Sequence, residues 1–201
     1  MRTARGLDRL VTFLDAVVAI AITLLVLPLI DVLGQGRQED LPALLADHLA
    51  EFGAFALSFA VIARLWSAHH RLVERVGSYD QAFLRVNLLW ALTIVLLPFS
   101  TQVIAEYDTD RLSVGLYIGT IAVSSACVTV LTLLVHRRPA LRREGLEAGD
   151  PSPVASVVTT GLVLLALVLG VAIPAVNFYA LLLLLLTDPL VRLLARARSR
   201  A

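Results

Sequence analysis

Long apolar runs separated by short polar stretches dominate this chain. The first run, residues 10–30, reads LVTFLDAVVAIAITLLVLPLI and contains a single ionisable side chain, Asp15. A run of about twenty apolar residues crosses the roughly 30 Å hydrocarbon core of a bilayer as an α-helix. An ionisable side chain at that depth is costly unless it has a partner, so Asp15 marks a candidate functional position.

The whole pattern predicts an all-α membrane protein that forms a single domain over residues 1–201. Its six transmembrane helices are expected at about residues 7–33, 47–75, 80–106, 112–136, 154–173 and 175–195. The last two runs together exceed the length of one crossing by nearly twofold, which favours two separate helices. Hydrophobic residues make up 58% of the chain and charged residues only 16%. Soluble domains carry about a quarter charged residues, so a water-soluble fold is disfavoured.

The basic residues give the expected orientation in the membrane. All seventeen are arginines, and fifteen of them fall on one side of the six predicted helices. Only Arg37 and Arg111 fall on the other side. The positive-inside rule therefore predicts that both termini are cytoplasmic. Two termini on one side require an even number of crossings, which agrees with six.

The arginine-poor side is acidic. Its eight acidic residues are Asp31, Glu39, Asp40, Asp47, Glu51, Glu106, Asp108 and Asp110. A pore mouth with this balance concentrates cations and repels anions. The alternative is that these residues belong to ordinary solvated loops.

One face of the first predicted helix is a candidate pore lining. At 3.6 residues per turn, a single stripe contains Phe13, Ala16, Ile20, Thr23, Leu24, Leu27 and Asp31. Several copies around an axis would form hydrophobic rings of Ile20, Leu24 and Leu27, and such rings gate conduction by dewetting. Thr23 would supply a hydroxyl beside the constriction, and Asp31 an acidic ring at the outer mouth. The same stripe also fits ordinary helix packing or lipid contact.

Three stretches resemble a known family. Residues 9–27, RLVTFLDAVVAIAITLLVL, are similar to the first-helix motif R-x-x-x-F-S-D-G-x-x-A-I-A-I-T-L-L of the transmembrane-protein-175 family of potassium channels, lysosomal in animals and plasma-membrane in bacteria. The stretches LSFAVIARLWSAHHRL at 57–72 and VNLLWALTIVLLPFSTQVIAEY at 86–107 are similar as well. The resemblance covers about the first half of the chain, and the rest matches only in hydropathy and number of spans.

The resemblance implies a bacterial plasma-membrane channel. Six-helix subunits would form a homotetramer within membrane lipid, with helix one lining a central pore that conducts K⁺ and other monovalent cations without a bound cofactor. The constriction would match Ile20, Leu24 and Leu27, and the threonine that assists selectivity would match Thr23. The family's polar network near the cytoplasmic side would correspond to Arg9, Phe13, Asp15, Trp66, His69, His70 and Asn87.

The chain departs from the family motif at two positions. Leu14 replaces the serine of F-S-D, and Ala16 replaces the glycine that follows the aspartate. Loss of the serine removes a hydroxyl from the polar network. The departure leaves open how the network is satisfied and how selective the pore is.

The polar candidates also have structural explanations. Asp15 would serve helix association by pairing with Arg9 or a histidine, and His69 and His70 would be interface residues instead of proton sensors. The histidines have no companions at metal-ligand spacing, so no metal site is expected. No phosphate-binding glycine loop, nucleophile elbow or H-E-x-x-H motif occurs, which disfavours an enzyme. The arginine-rich tail is expected to contact anionic lipid, not nucleic acid, and no soluble substrate is expected.

Two other functions remain open. One is a proton-coupled secondary transporter that uses Asp15 with His69 or His70. It predicts symmetry between the two halves of the chain, and the sequence contains no convincing internal repeat. The other is a non-conducting membrane scaffold or enzyme subunit, in which substitutions in the stripe leave ion flux unchanged.

Overall fold

The computed structural model describes residues 4–35, 40–107, 110–143, 153–173 and 176–198. The α-helices are α1 (Ala4–Leu24), α2 (Leu27–Gln35), α3 (Leu41–Asp47), α4 (Leu49–Val73), α5 (Gln81–Glu106), α6 (Arg111–Arg137), α7 (Pro153–Ala172) and α8 (Thr187–Arg198). Two 3-10 helices, Pro139–Leu141 and Asn177–Leu186, follow α6 and precede α8. Strand pairing among the described residues is limited to one isolated bridge between Val76 and Arg142.

Five helical segments of the described chain are long and apolar enough to cross a membrane. They are Arg5–Val32, which joins α1 and α2, Leu49–Val73, Gln81–Glu106, Arg111–Arg137 and Pro153–Ala172. The helical, multi-pass membrane class is therefore confirmed, and these segments overlap the first five predicted helices. The sixth predicted helix, residues 175–195, coincides with the second 3-10 helix and α8. A sixth crossing stays a prediction.

The first membrane segment is broken between Leu24 and Leu27. Pro28 has no N–H to donate to the Leu24 carbonyl, and its ring crowds that carbonyl. The chain responds with a tighter 3-10 turn, in which Leu25 N donates to the Ile22 carbonyl and Val26 N to that of Thr23, both at 3.3 Å. The single helix predicted over residues 7–33 is thus two helices, and the break lies within the stripe proposed for the constriction.

Helix α6 forms the centre of the helical bundle. In its most apolar window 61% of the residues are buried within the chain, against 17–33% in the other four segments. Helices α4, α5 and α7 pack against α6, and α1 packs against α5 and α4. The core that they enclose is apolar, and its fully buried members include Ile62, Trp90, Ile94, Leu97, Ile118 and Leu131. Because α1 contacts the bundle from one side only, much of its surface is left uncovered.

The connection after α7 also depends on close packing. Asn177 adopts a positive φ of 47°, a conformation that asparagine tolerates better than most residues. A Cβ at Gly170 would lie 2.8 Å from the Asn177 carbonyl oxygen and 3.0 Å from the Ile118 side chain. Glycine is therefore required for the 3-10 helix to lie against α7.

Two connections meet at the arginine-rich end of the bundle. Gly77 N donates to the Leu141 carbonyl at 2.9 Å, and Arg143 N donates to the Arg75 carbonyl at 2.9 Å. A Cβ at Gly77 would lie 2.9 Å from the Arg143 Cα, so the two backbones approach each other as closely as only glycine permits. The connection between α4 and α5 is thereby fastened to the segment after α6.

Asp80 joins this contact to the start of α5. Its carboxylate accepts a hydrogen bond from Phe83 N at 2.8 Å and forms an ion pair with Arg138. The Phe83 N–H and, after it, the Arg138 guanidinium hold the pKa of Asp80 below its usual value. One side chain therefore caps α5 and connects it to the end of α6.

Replacing Asp80 with alanine should lower the free energy of unfolding by about 1–2 kcal/mol, most of it from the lost helix cap and less from the partly exposed ion pair. Asp80→Asn keeps an oxygen that accepts from Phe83 N, so its loss should be smaller. Denaturant unfolding of the purified proteins in mixed micelles measures both values.

The pH dependence of the same three proteins supplies the control. Because the folded-state pKa of Asp80 is depressed, its stabilising effect is present above the unfolded pKa and declines as the pH falls below about 4. The difference in stability between wild-type protein and Asp80→Ala should therefore shrink at low pH, toward the part that the neutral carboxyl keeps by accepting from Phe83 N. A difference that persists unchanged below the folded pKa would show that charge on Asp80 has no part in it.

Candidate functional site

Helix α1 and α2 present one buried and one exposed face. The buried face consists of Leu7, Leu10, Leu14, Val18, Ala21, Leu25, Leu29 and Val32. On the other face, Ile20 is 60% exposed, Leu27 51% and Leu24 42%, and Thr23 and Asp31 are exposed as well. Large apolar side chains on a stripe that the folded chain leaves uncovered contact either lipid or other protein copies. The face selected from the sequence as a pore lining is this uncovered face.

Thr23 presents an oxygen on the exposed stripe. Its hydroxyl donates to the Ile20 carbonyl at 2.8 Å. A carbonyl can only accept, so the hydroxyl hydrogen is directed into the helix and the oxygen lone pairs stay available. The Thr23 side chain is therefore arranged to accept from water or contact a cation, not to donate to an anion.

Asp15 begins the first of two polar chains near the arginine-rich end. Trp66 Nε1 donates to Asp15 Oδ1 at 2.9 Å, which connects α1 with α4. The Trp66 ring stacks on His70 with centroids 5.0 Å apart, and His70 Nε2 lies 3.5 Å from a Glu74 carboxylate oxygen. The carboxylate within the first apolar run thus has a donor from the neighbouring helix.

His69 belongs to a second, fully buried chain. Its Nε2 lies 2.7 Å from Asn87 Oδ1, and Asn87 Nδ2 donates to the Phe83 carbonyl at 2.8 Å. Since the amide nitrogen is the donor to Phe83, the amide oxygen must accept, and His69 carries a proton on Nε2. The His69 ring also stacks on Trp90 at 3.9 Å with 7° between the planes. This chain fixes α4 against α5.

The sequence-predicted network is therefore brought together only in part. Asp15, Trp66 and His70 lie in one chain, and His69 and Asn87 lie in the other. Arg9 and Phe13 lie on the exposed face of α1, outside both chains. In the described part of the structure Arg9 makes neither a hydrogen bond nor an ion pair.

The departure at Leu14 has a structural explanation. Leu14 is 1% exposed and lies in the apolar core between α1 and its neighbours. A leucine there adds apolar packing, and Asp15 obtains its hydrogen bond from Trp66 instead of from a serine next to it. Ala16 lies on the exposed stripe, where a methyl group meets no crowding from the rest of the described chain.

Sequence reasoning missed several polar contacts. Trp90, which stacks on His69, follows Asn87 by three residues, and that spacing places both on one face of α5. Farther along the bundle, Ser58 Oγ lies 3.0 Å from Tyr117 Oη, and Thr101 Oγ1 donates to Ser58 Oγ at 2.8 Å. Hydroxyl side chains in apolar helices often form hydrogen bonds between helices. A single sequence does not reveal which hydroxyls form a pair.

The carboxylates on the arginine-poor side of the bundle are of two kinds: some bond to groups of the protein, and others are exposed. Asp110 accepts from Ser113 N at 2.7 Å as the cap of α6, and this N–H lowers the pKa of Asp110 so that it stays ionised. Glu51 pairs with His48, and Glu106 accepts from Gln102. The exposed Asp31, Asp40 and Asp47 carry the remaining charges on the described part of this side. Arg37, Glu39 and Asp108 lie outside the described residues.

Among the residues that the structure describes, no group of three histidine, cysteine or acidic side chains is arranged to hold a metal ion. What the geometry offers instead is an exposed apolar stripe with one hydroxyl and one carboxylate, beside two polar chains, the first of which fixes α1 to α4.

Comparison with known proteins connects this geometry to one family. The family model described as endosomal/lysosomal potassium channel TMEM175 matches residues 9–98. The chain is 35% identical over 117 residues to a potassium channel of Chamaesiphon minutus, a match covering 55% of this chain and 57% of that protein. It is 27% identical over 187 residues to a potassium channel of a Chryseobacterium species, covering 90% of this chain and 92% of that protein. It is also 26% identical over 132 residues to mouse endosomal/lysosomal proton channel TMEM175, covering 64% of this chain and 26% of that protein.

The matches differ in how much of each relative they cover. The chain spans just over half the length of the Chamaesiphon minutus channel, to which it is 35% identical. The matched family region contains α2, α3 and α4 and most of α1 and α5, and hence the exposed stripe and both polar chains.

Proposed function

We propose that this chain, whose residues 9–98 match the TMEM175 family model, is one subunit of a potassium-preferring cation channel. Four subunits form a homotetramer in the plasma membrane, with α1 and α2 around the central axis and both termini in the cytoplasm. Conduction is passive and follows the ion gradient. Conduction of this kind involves no chemical step.

The observation that carries the proposal is the uncovered stripe of α1 and α2. Ile20, Leu24 and Leu27 are large apolar residues, and all three are more than 40% exposed although the opposite face is buried. One subunit offers one such face, so a central pore of this kind needs several copies. In a closed ring, the stripes cover one another and leave a narrow apolar passage.

The proposed mechanism follows from the polarity of this passage. A ring of apolar side chains excludes water at small diameter, and a cation must lose part of its hydration shell to pass. Asp31 raises the cation concentration at the outer mouth. Thr23, whose hydroxyl oxygen is free to accept, replaces a water next to Ile20. K⁺ is preferred because it is less strongly hydrated than Na⁺.

The alternative, a proton-coupled transporter that uses Asp15 and His69 or His70, has weaker support. Trp66 lies between Asp15 and His70 in the first polar chain, and its N–H can only donate. His69 bonds Asn87 and is 2% exposed. The three titratable groups therefore do not form one continuous hydrogen-bonded path in the described residues.

Planar-bilayer recording of the purified protein between K⁺ and Na⁺ solutions tests the proposal. We expect discrete unitary currents and a reversal potential displaced toward the K⁺ equilibrium value. Saturable flux that depends on a proton gradient and lacks unitary steps would support the transporter. Absence of any flux from correctly folded protein would support the scaffold.

A further inference from the structure

A second site lies between α4, α6, α7 and the start of α8, away from the stripe of α1. It is a cavity of about 320 Å³, which is within the size range of small-ligand sites. Its wall includes Arg64 and Arg71 of α4 and Arg75, which follows the end of α4 at Val73. None of the described residues that line it is acidic, and none comes from α1.

Arg64 and Arg71 are unusual for membrane-helix residues. They are seven residues apart and so lie on the same face of α4, about 10 Å apart along its axis. Arg64 precedes the end of α4 at Val73 by nine residues, which places it about 14 Å inside that end. Neither arginine has a carboxylate partner among the described residues. A guanidinium at this depth is costly unless an anion or water reaches it.

The polar groups opposite the arginines are mainly acceptors. Thr132, Thr159 and Thr187 line the cavity, and their hydroxyls donate to the backbone carbonyls of Val128, Ala155 and Leu184 at 2.8–2.9 Å. With the hydrogens so engaged, the three oxygens offer lone pairs to a donor. The cavity thus combines cationic donors on one wall with neutral acceptors on the other.

We propose that this cavity binds the headgroup of an acidic phospholipid that carries free hydroxyls, such as phosphatidylglycerol. The phosphate lies against Arg64 and Arg71, and the headgroup hydroxyls donate to the threonine oxygens. The apolar remainder of the wall, which includes Val61, Leu65 and Val163, contacts the acyl chains. Basic pockets between membrane helices on the cytoplasmic side recognise phospholipid headgroups in this manner. Free phosphate would not use the apolar wall.

Native mass spectrometry of the full chain in micelles tests this site without reference to conduction. Dioleoyl phosphatidylglycerol, phosphatidic acid and phosphatidylcholine are each titrated against the protein. We expect the first to bind most tightly, because only it supplies both an anionic phosphate and hydroxyl donors. Each arginine near a membrane surface is worth about a fivefold change in affinity, so Arg64→Gln with Arg71→Gln should weaken phosphatidylglycerol binding about 25-fold.

Matched controls distinguish binding in the cavity from general electrostatic attraction between the lipid and the protein's arginines. Arg85→Gln removes an exposed arginine of α5 that does not line the cavity, and phosphatidylglycerol affinity should be unchanged. If the double variant does not fold, Thr132→Val alone should still lower the preference for phosphatidylglycerol over phosphatidic acid. Equal losses in Arg85→Gln and the cavity variants would overturn the proposal. So would displacement of the lipid by millimolar inorganic phosphate, because that result would assign the cavity to a free anion.

Discussion

Replacing Ile20 with asparagine should raise the unitary conductance about tenfold, since a fall of about 1.4 kcal/mol in the barrier to ion passage raises its rate by that factor. Ile20 is the most exposed of the three apolar residues proposed for the constriction, at 60%. An amide there would hold water in a passage that is otherwise dry. The preference for K⁺ over Na⁺ should fall as well, because a wetter passage demands less dehydration. Single-channel recording between K⁺ and Na⁺ solutions measures both changes.

Val168→Asn is the matched control for this substitution. Val168 is also a β-branched apolar residue, is 63% exposed and lies on α7, outside the stripe. The same amide there should cost stability through contact with lipid but leave conductance and selectivity unchanged. If both variants conduct like the parent, Ile20 does not line the passage. If both change conductance alike, the effect comes from general perturbation of the bundle.

The helices and the faces of α1 could be predicted because each depends on local pattern. A run of about twenty apolar residues is itself the condition for a membrane helix, and the period of 3.6 assigns residues to faces. Leu10, Leu14, Val18 and Ala21 follow that period on the buried face, and Ile20 and Leu24 on the exposed face. The placement of both sets required only the assumption of a regular helix.

That assumption fails at Pro28, which marks the limit of local reasoning. A proline inside a membrane helix is tolerated with or without a break, because neighbouring groups satisfy the freed carbonyl. The sequence therefore does not decide between a continuous helix and the 3-10 turn that the structure places at Leu25 and Val26. The 3-10 helix at Asn177–Leu186 is a similar case, because its run of leucines is equally apolar in either geometry.

Partner choice in the polar network could not be predicted because it depends on how the helices are rotated. His69 and His70 are neighbours in sequence but about 100° apart around α4. One therefore faces Asn87 and Trp90 on α5, and the other lies beside Trp66. The motif grouped these residues as one network, and only the packed bundle separates them into two.

The second large effect is expected where α1 is fastened to α4. Trp66→Phe removes the N–H that donates to the Asp15 carboxylate. A hydrogen bond to a charged group contributes about 1.5–3 kcal/mol, so Asp15→Ala and Trp66→Phe should be strongly coupled. In a double-mutant cycle measured by denaturant unfolding in micelles, we expect a coupling free energy of about 1–2 kcal/mol.

The only other tryptophan of the chain supplies the control for that cycle. Trp90 is fully buried, and its Nε1 has no hydrogen-bond partner among the described residues. Trp90→Phe should be costly through lost packing, but additive with Asp15→Ala to within about 0.5 kcal/mol, because the two residues share no hydrogen bond.

The cycle also decides between the two roles considered for Asp15. Strong coupling to Trp66 means that the carboxylate acts chiefly as an anchor, which sets the rotation of α1 and hence which residues face the axis. Each single variant should then alter conductance by the same factor as the double variant, because each removes the same constraint. If the coupling is near zero in the assembled protein, Asp15 has another partner there. An effect on ion permeation from Asp15→Ala alone, without one from Trp66→Phe, would then assign the carboxylate to the ion pathway itself.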